Sequence, residues 1–108
     1  MSFVTSHVLD TALGRPAEGI PVALIGPGGE VIASAQTDAD GRVTDLGPEI
    51  LPAGIYIIEF QLGGYFARSG RPAFYPRLTI EAVLDPEQGH YHLPLLLSPF
   101  GYSTYRGS

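Results

Sequence analysis

Apolar and polar positions alternate along much of this chain with a period of two. Residues 77–84 (RLTIEAVL) are the cleanest case: Leu78, Ile80, Ala82 and Leu84 fall on one side, and Arg77, Thr79 and Glu81 on the other. Successive strand side chains point to opposite faces, so the pattern predicts a half-buried strand. Residues 55–62 (IYIIEFQL) give the strongest strand signal, being aromatic, β-branched and alternating. Residues 3–10 (FVTSHVLD) also alternate, with Val4, Ser6 and Val8 on one face and Phe3, Thr5, His7 and Leu9 on the other. Residues 20–25 and 30–37 flank a Gly-Pro-Gly-Gly turn and predict a hairpin. The turn Asp38-Ala39-Asp40-Gly41-Arg42 leads into Val43-Thr44, at most a very short strand. The last nineteen residues, HYHLPLLLSPFGYSTYRGS, read as a strand, a Pro/Gly turn and a returning strand. Residues 11–19 and 47–54 read as loops, and 85–89 as a turn. The one place for a helix is 63–70, a turn or two ended by Gly70 and Pro72. Seven or eight short strands with one short helix predict an all-β sandwich.

Composition narrows the picture. A chain of 108 residues predicts one domain, 1–108, able to bury roughly 60–70% of its unfolded surface. There is no Cys, so neither disulfides nor thiolate chemistry enter. All six basic residues are Arg, which removes Schiff-base lysines and the P-loop lysine. A net charge of −5 argues against a nucleic-acid partner. No run approaches the ~20 apolar residues of a membrane-spanning helix, and the N-terminus does not read as a signal peptide. A cytoplasmic protein with no membrane partner is the expectation.

Few residues could carry chemistry. His7, His90 and His92 are the three imidazoles. Any one of them alone is more often a surface ring than a working group. An H-x-H pair on a strand can hold zinc, but no third ligand at suitable spacing is evident, so no metal and no cofactor are expected. No G-x-S-x-G is present, and Asp38, Asp40 and Asp45 suit turn formation better than catalysis. Two imidazoles, an arginine and a C-terminal carboxylate would together suffice for metal-free hydrolysis of an activated amide. A His can take a proton from water, an Arg can hold the oxyanion, and a carboxylate can orient a ring.

Three motifs give the chain a family resemblance: SHVLDTALGRPA (residues 6–17), TDADGR (residues 37–42) and the terminal HYHLPLLLSPFGYSTYRGS. Together they resemble the transthyretin-like (prealbumin-like) family over essentially the whole chain. The ending Tyr105-Arg106-Gly107-Ser108 is similar to its 5-hydroxyisourate-hydrolysing branch rather than to its hormone carriers. The resemblance implies a homotetramer, a dimer of dimers, with active sites in a channel. It implies that His7, Arg42, His92 and Ser108 are catalytic. It further implies that Arg42, Tyr105, Arg106 and Gly107 contact the substrate 5-hydroxyisourate, and that His90 has no catalytic role. A non-catalytic ligand-binding member of the family is the alternative.

Overall fold

The computed structural model describes residues 2–108. Nine strands form two sheets. The first sheet contains β1 (Val4–Asp10), β2 (Arg15–Pro16), β5 (Arg42–Val43), β8 (Tyr91–Ser98) and β9 (Gly101–Thr104), in the order β2-β1-β8-β9 with β5 also pairing β1. The second contains β3 (Pro21–Ile25), β4 (Val31–Gln36), β6 (Gly54–Gln61) and β7 (Arg77–Leu84), in the order β4-β3-β6-β7. The helix α1 (Gly63–Arg68) joins β6 to β7. The chain is thus an all-β sandwich of two sheets with one short helix, as the alternation predicted.

The core follows the alternation. Val4, Val8, Leu95 and Leu97 from the first sheet meet Val22, Leu24, Ile58, Phe60, Leu78 and Leu84 from the second, all buried. Each such side chain contributes roughly 1.5–3 kcal/mol by leaving water. Helix α1 adds Phe66, which is fully buried. Gly70, at φ +66°, ends the helix, and the Arg71 N–H returns to the Phe66 carbonyl.

Three features differ from the alternation alone. The segment 11–19 contains the two-residue β2, held by the Ala17 N–H on the Val8 carbonyl, where a loop was expected. Residues 85–89 hold a 3-10 turn, Pro86–Gln88, capped by the Asp85 carboxylate on the Glu87 N–H. Phe3, expected on the face of Thr5 and His7, is buried edge-on against Tyr91 at 5.5 Å. It precedes the first paired residue of β1, so strand parity does not bind it. Among the described residues no helix is long and apolar enough to cross a membrane.

Candidate active site

The site is built on the outer face of the first sheet. Strands β1 and β8 run parallel, with Thr5 opposite His92 and His7 opposite Pro94. Strand β5 lies antiparallel on the other side of β1, with Arg42 opposite His7. Opposed residues share a face. Thr5, His7, Arg42 and His92 therefore all project from the side away from the core, whereas their chain neighbours Val4, Val8 and Val43 are in it.

The Asp38–Arg42 turn sets two of these groups. The Asp38 carboxylate accepts from the Asp40 and Arg42 N–H groups. Gly41 sits at φ +75°, and a Cβ there would run into the Val8 carbonyl oxygen. Only glycine lets the turn lie this close to β1. Its docking carries the Asp40 carbonyl to His7 Nε2, at 2.8 Å. A carbonyl only accepts, so His7 Nε2 bears the proton and, in the neutral ring, Nδ1 is left as the free base. The Arg42 side chain is exposed and hydrogen-bonds to none of the described residues, so its five donors stay available.

His92 is half-buried, and its Nδ1 lies 2.9 Å from the Thr5 hydroxyl. Burial, then the positive charge of Arg42, then His7 and His90, hold its pKa below the usual imidazole value. A ring so placed is neutral at physiological pH and able to accept a proton. The chain terminus closes over it. The Gly107 N–H donates to the His92 carbonyl at 2.7 Å. A Cβ on Gly107 would stand 2.8 Å from His92 Cδ2 and 3.1 Å from Pro94 Cγ. Gly107 thus packs on the ring edge beside Nε2, and Ser108 follows one residue on.

The other terminal residues are placed differently. Tyr105 is 56% exposed. The Arg106 guanidinium stacks 4.2 Å over the Tyr91 ring and donates to the Gln88 and His90 carbonyls. Tyr91 is on the core-side parity of β8, so Arg106 braces the end of the chain rather than facing Arg42. The structure brings together His7, Arg42, His92 and Gly107, and Ser108 is the next residue along the chain; Arg106 stacks on Tyr91 and lines a small cleft with Tyr91 and His92. Two groups were missed from sequence. Thr5 was assigned to the right face but given no role, and His90 was set aside, yet its Nε2 is 2.9 Å from the Thr5 hydroxyl. The visible signal was the H-x-H spacing, but linking it to Thr5 requires the β1–β8 register. Among the described residues no group of three His, Cys, Asp or Glu could hold a metal ion.

The chain as a whole has known relatives. Residues 4–107 match the model of the HIUase/Transthyretin family. The chain is 45% identical to a 5-hydroxyisourate hydrolase of Halalkalibacterium halodurans, over 97% of each chain. The solved structure of Klebsiella pneumoniae 5-hydroxyisourate hydrolase superposes with a TM-score of 0.88 at 42% identity, covering 97% of this chain and 98% of that one. Transthyretin from Sparus aurata superposes with a TM-score of 0.90 at 33% identity, covering 99% and 97%. The chain belongs to the HIUase/transthyretin family.

Proposed function

We propose that this protein hydrolyses 5-hydroxyisourate to 2-oxo-4-hydroxy-4-carboxy-5-ureidoimidazoline, a step of urate degradation. The observation that carries the reading is the convergence of His7, Arg42 and His92 on one sheet face, with the terminal Gly107 packed against the His92 ring. Relatives about as similar as 45% over nearly the whole chain are named for this activity.

The chemistry follows from the groups. Arg42 binds the planar, carbonyl-rich substrate and stabilises the oxyanion formed when water attacks C6. His92, held neutral, takes the proton of that water. His7 presents its Nδ1 beside Arg42 and orients the water or the substrate. As the N1–C6 bond opens, an imidazole returns a proton to the nitrogen. The Ser108 hydroxyl or carboxylate and the Tyr105 ring border the pocket. Arg106 and Gly107 act by fixing the terminus. The chain works as one domain and requires neither metal nor cofactor.

A homotetramer of two dimers completes the site. The face that carries the imidazoles is open in one protomer. Strands β7 and β9 end their sheets on the same side of the sandwich, linked by Tyr75 edge-on to Tyr102 at 5.3 Å. Edges of this kind are templates for pairing with another chain. A carrier function, as in the transthyretin branch, fits less well, because two imidazoles and an unpaired Arg make the face polar. The test is spectroscopic: the protein should accelerate the decay of 5-hydroxyisourate generated from urate. Thyronine binding without such acceleration would favour the carrier.

A further inference from the structure

Thr5 contributes a single hydroxyl to two imidazoles. Its Oγ1 is 2.9 Å from His92 Nδ1 and 2.9 Å from His90 Nε2. The residue is 6% exposed, so water does not readily replace either partner. A hydroxyl has one proton to give. With both rings neutral and both bonds made, one ring donates to the oxygen and the other accepts from it. The two tautomers are therefore coupled. His92 makes no hydrogen bond through Nε2 to any described residue, and that edge of the ring lies under Gly107. His90 is exposed.

We propose that Thr5 is a positioning residue that couples His90 to His92, holding His92 as the Nδ1–H tautomer with Nε2 as the base and giving its charge a route to the surface. This rests on the hydrolytic reading above and deepens it. In the resting state His92 Nδ1–H donates to Thr5, and the Thr5 hydroxyl donates to His90 Nε2. As the water oxygen bonds to the carbonyl carbon, its proton passes to His92 Nε2. His92 Nδ1 releases its proton to Thr5 Oγ1, and the original hydroxyl proton passes to His90 Nε2. The positive charge then resides on the exposed ring, away from Arg42. When the C–N bond breaks, the transfers reverse. His92 gives its Nε2 proton to the leaving nitrogen and regains one at Nδ1 from Thr5, which is refilled from His90. No proton is gained or lost over the cycle.

The test combines nitrogen-15 NMR of histidine-labelled, substrate-free protein with turnover of 5-hydroxyisourate. Three variants serve: Thr5→Val, which keeps the shape without the hydroxyl, Thr5→Ser, which keeps the hydroxyl, and His90→Ala at an exposed position. Wild type should show His92 protonated at Nδ1. Thr5→Val and His90→Ala should release it toward the Nε2–H form. Both should lower kcat on the order of 10–100-fold, as for loss of other groups that orient a working imidazole, with KM little changed. Thr5→Ser should recover most of kcat. His92 found as Nε2–H in wild type, or an unchanged tautomer or kcat in Thr5→Val, overturns the proposal. The NMR readout uses no substrate. An Nδ1–H ring in a protein that leaves 5-hydroxyisourate untouched would uphold the coupling while sinking the hydrolytic reading.

Discussion

Strand β1 carries two polar clusters on opposite faces, and they are finished in opposite ways. On the inner face, at the strand's end, Asp10 is fully buried. Its oxygens accept from the Ala12 and Leu13 N–H groups, from the Tyr65 hydroxyl at 2.6 Å, and from Arg71 at 2.6 Å. Burial alone would raise its pKa, but these hydrogen bonds, Arg71 first, outweigh it and hold the carboxyl below its usual value. Arg71 also lies over the Tyr65 and Phe66 rings. On the outer face, Thr5, His7, Arg42 and His92 leave an arginine and two ring nitrogens without hydrogen-bond partners among the described residues. A saturated cluster pins α1 to the sheet and has nothing left to offer a substrate. An unsaturated one costs stability locally and keeps donors and bases free.

The contrast predicts that the two faces fail separately. His92→Asn should lower kcat on the order of 10²–10⁴-fold, the usual range for a lost general base, with the melting transition almost unmoved. Steady-state kinetics beside thermal unfolding would show this, and full turnover would remove His92 from the chemistry. Asp10→Ala should do the reverse. It strands Arg71 and costs about 3 kcal/mol in chemical denaturation, while activity per folded molecule is kept. Stability from Asp10 should be present above the ordinary carboxylate pKa and be lost as pH falls through its depressed folded value.

Smaller effects sharpen the comparison. Gly107→Ala should push on His92 Cδ2 and Pro94, lowering kcat about tenfold through a slightly displaced base. Unaltered kinetics would mean that the terminus does not set the ring. The last effect is a shift in pH. His92 is faced by His7 on β1, Arg42 on β5 and His90 just before β8, with the terminal Gly107 against its ring edge. Its pKa is lowered by burial first and Arg42 second, so the acid limb of kcat/KM should lie below the ordinary value of about 6.5. Arg42→Gln removes a positive charge and should move that limb to higher pH, beside lowering the rate. A limb unmoved in Arg42→Gln would separate the two groups.

The alternation made much of the fold legible. Residues 77–84 were bounded as observed, and both hairpins are present. Face assignment was legible too, since His7 and His92 each follow the parity of their strand. The pairing of β1 with β8 was not. It joins residues more than eighty positions apart, and nothing local in SHVLD or HYHLP encodes their register. For that reason Thr5 could be placed on a face but not between two imidazoles. Arg106 was legible as part of the terminal motif, but its seat over the Tyr91 ring and on two carbonyls was not. The Asp10–Arg71 pair escaped because Gly70 and the end of α1 aim Arg71, a geometry that sequence spacing does not contain.

The most direct test is to generate 5-hydroxyisourate from urate in the cuvette, add the protein, and follow the decay. Decay should accelerate in proportion to enzyme with chelator present, and His92→Asn of unchanged fold should return it to near the spontaneous rate. A decay that wild-type protein leaves at its spontaneous rate would contradict hydrolysis on this face.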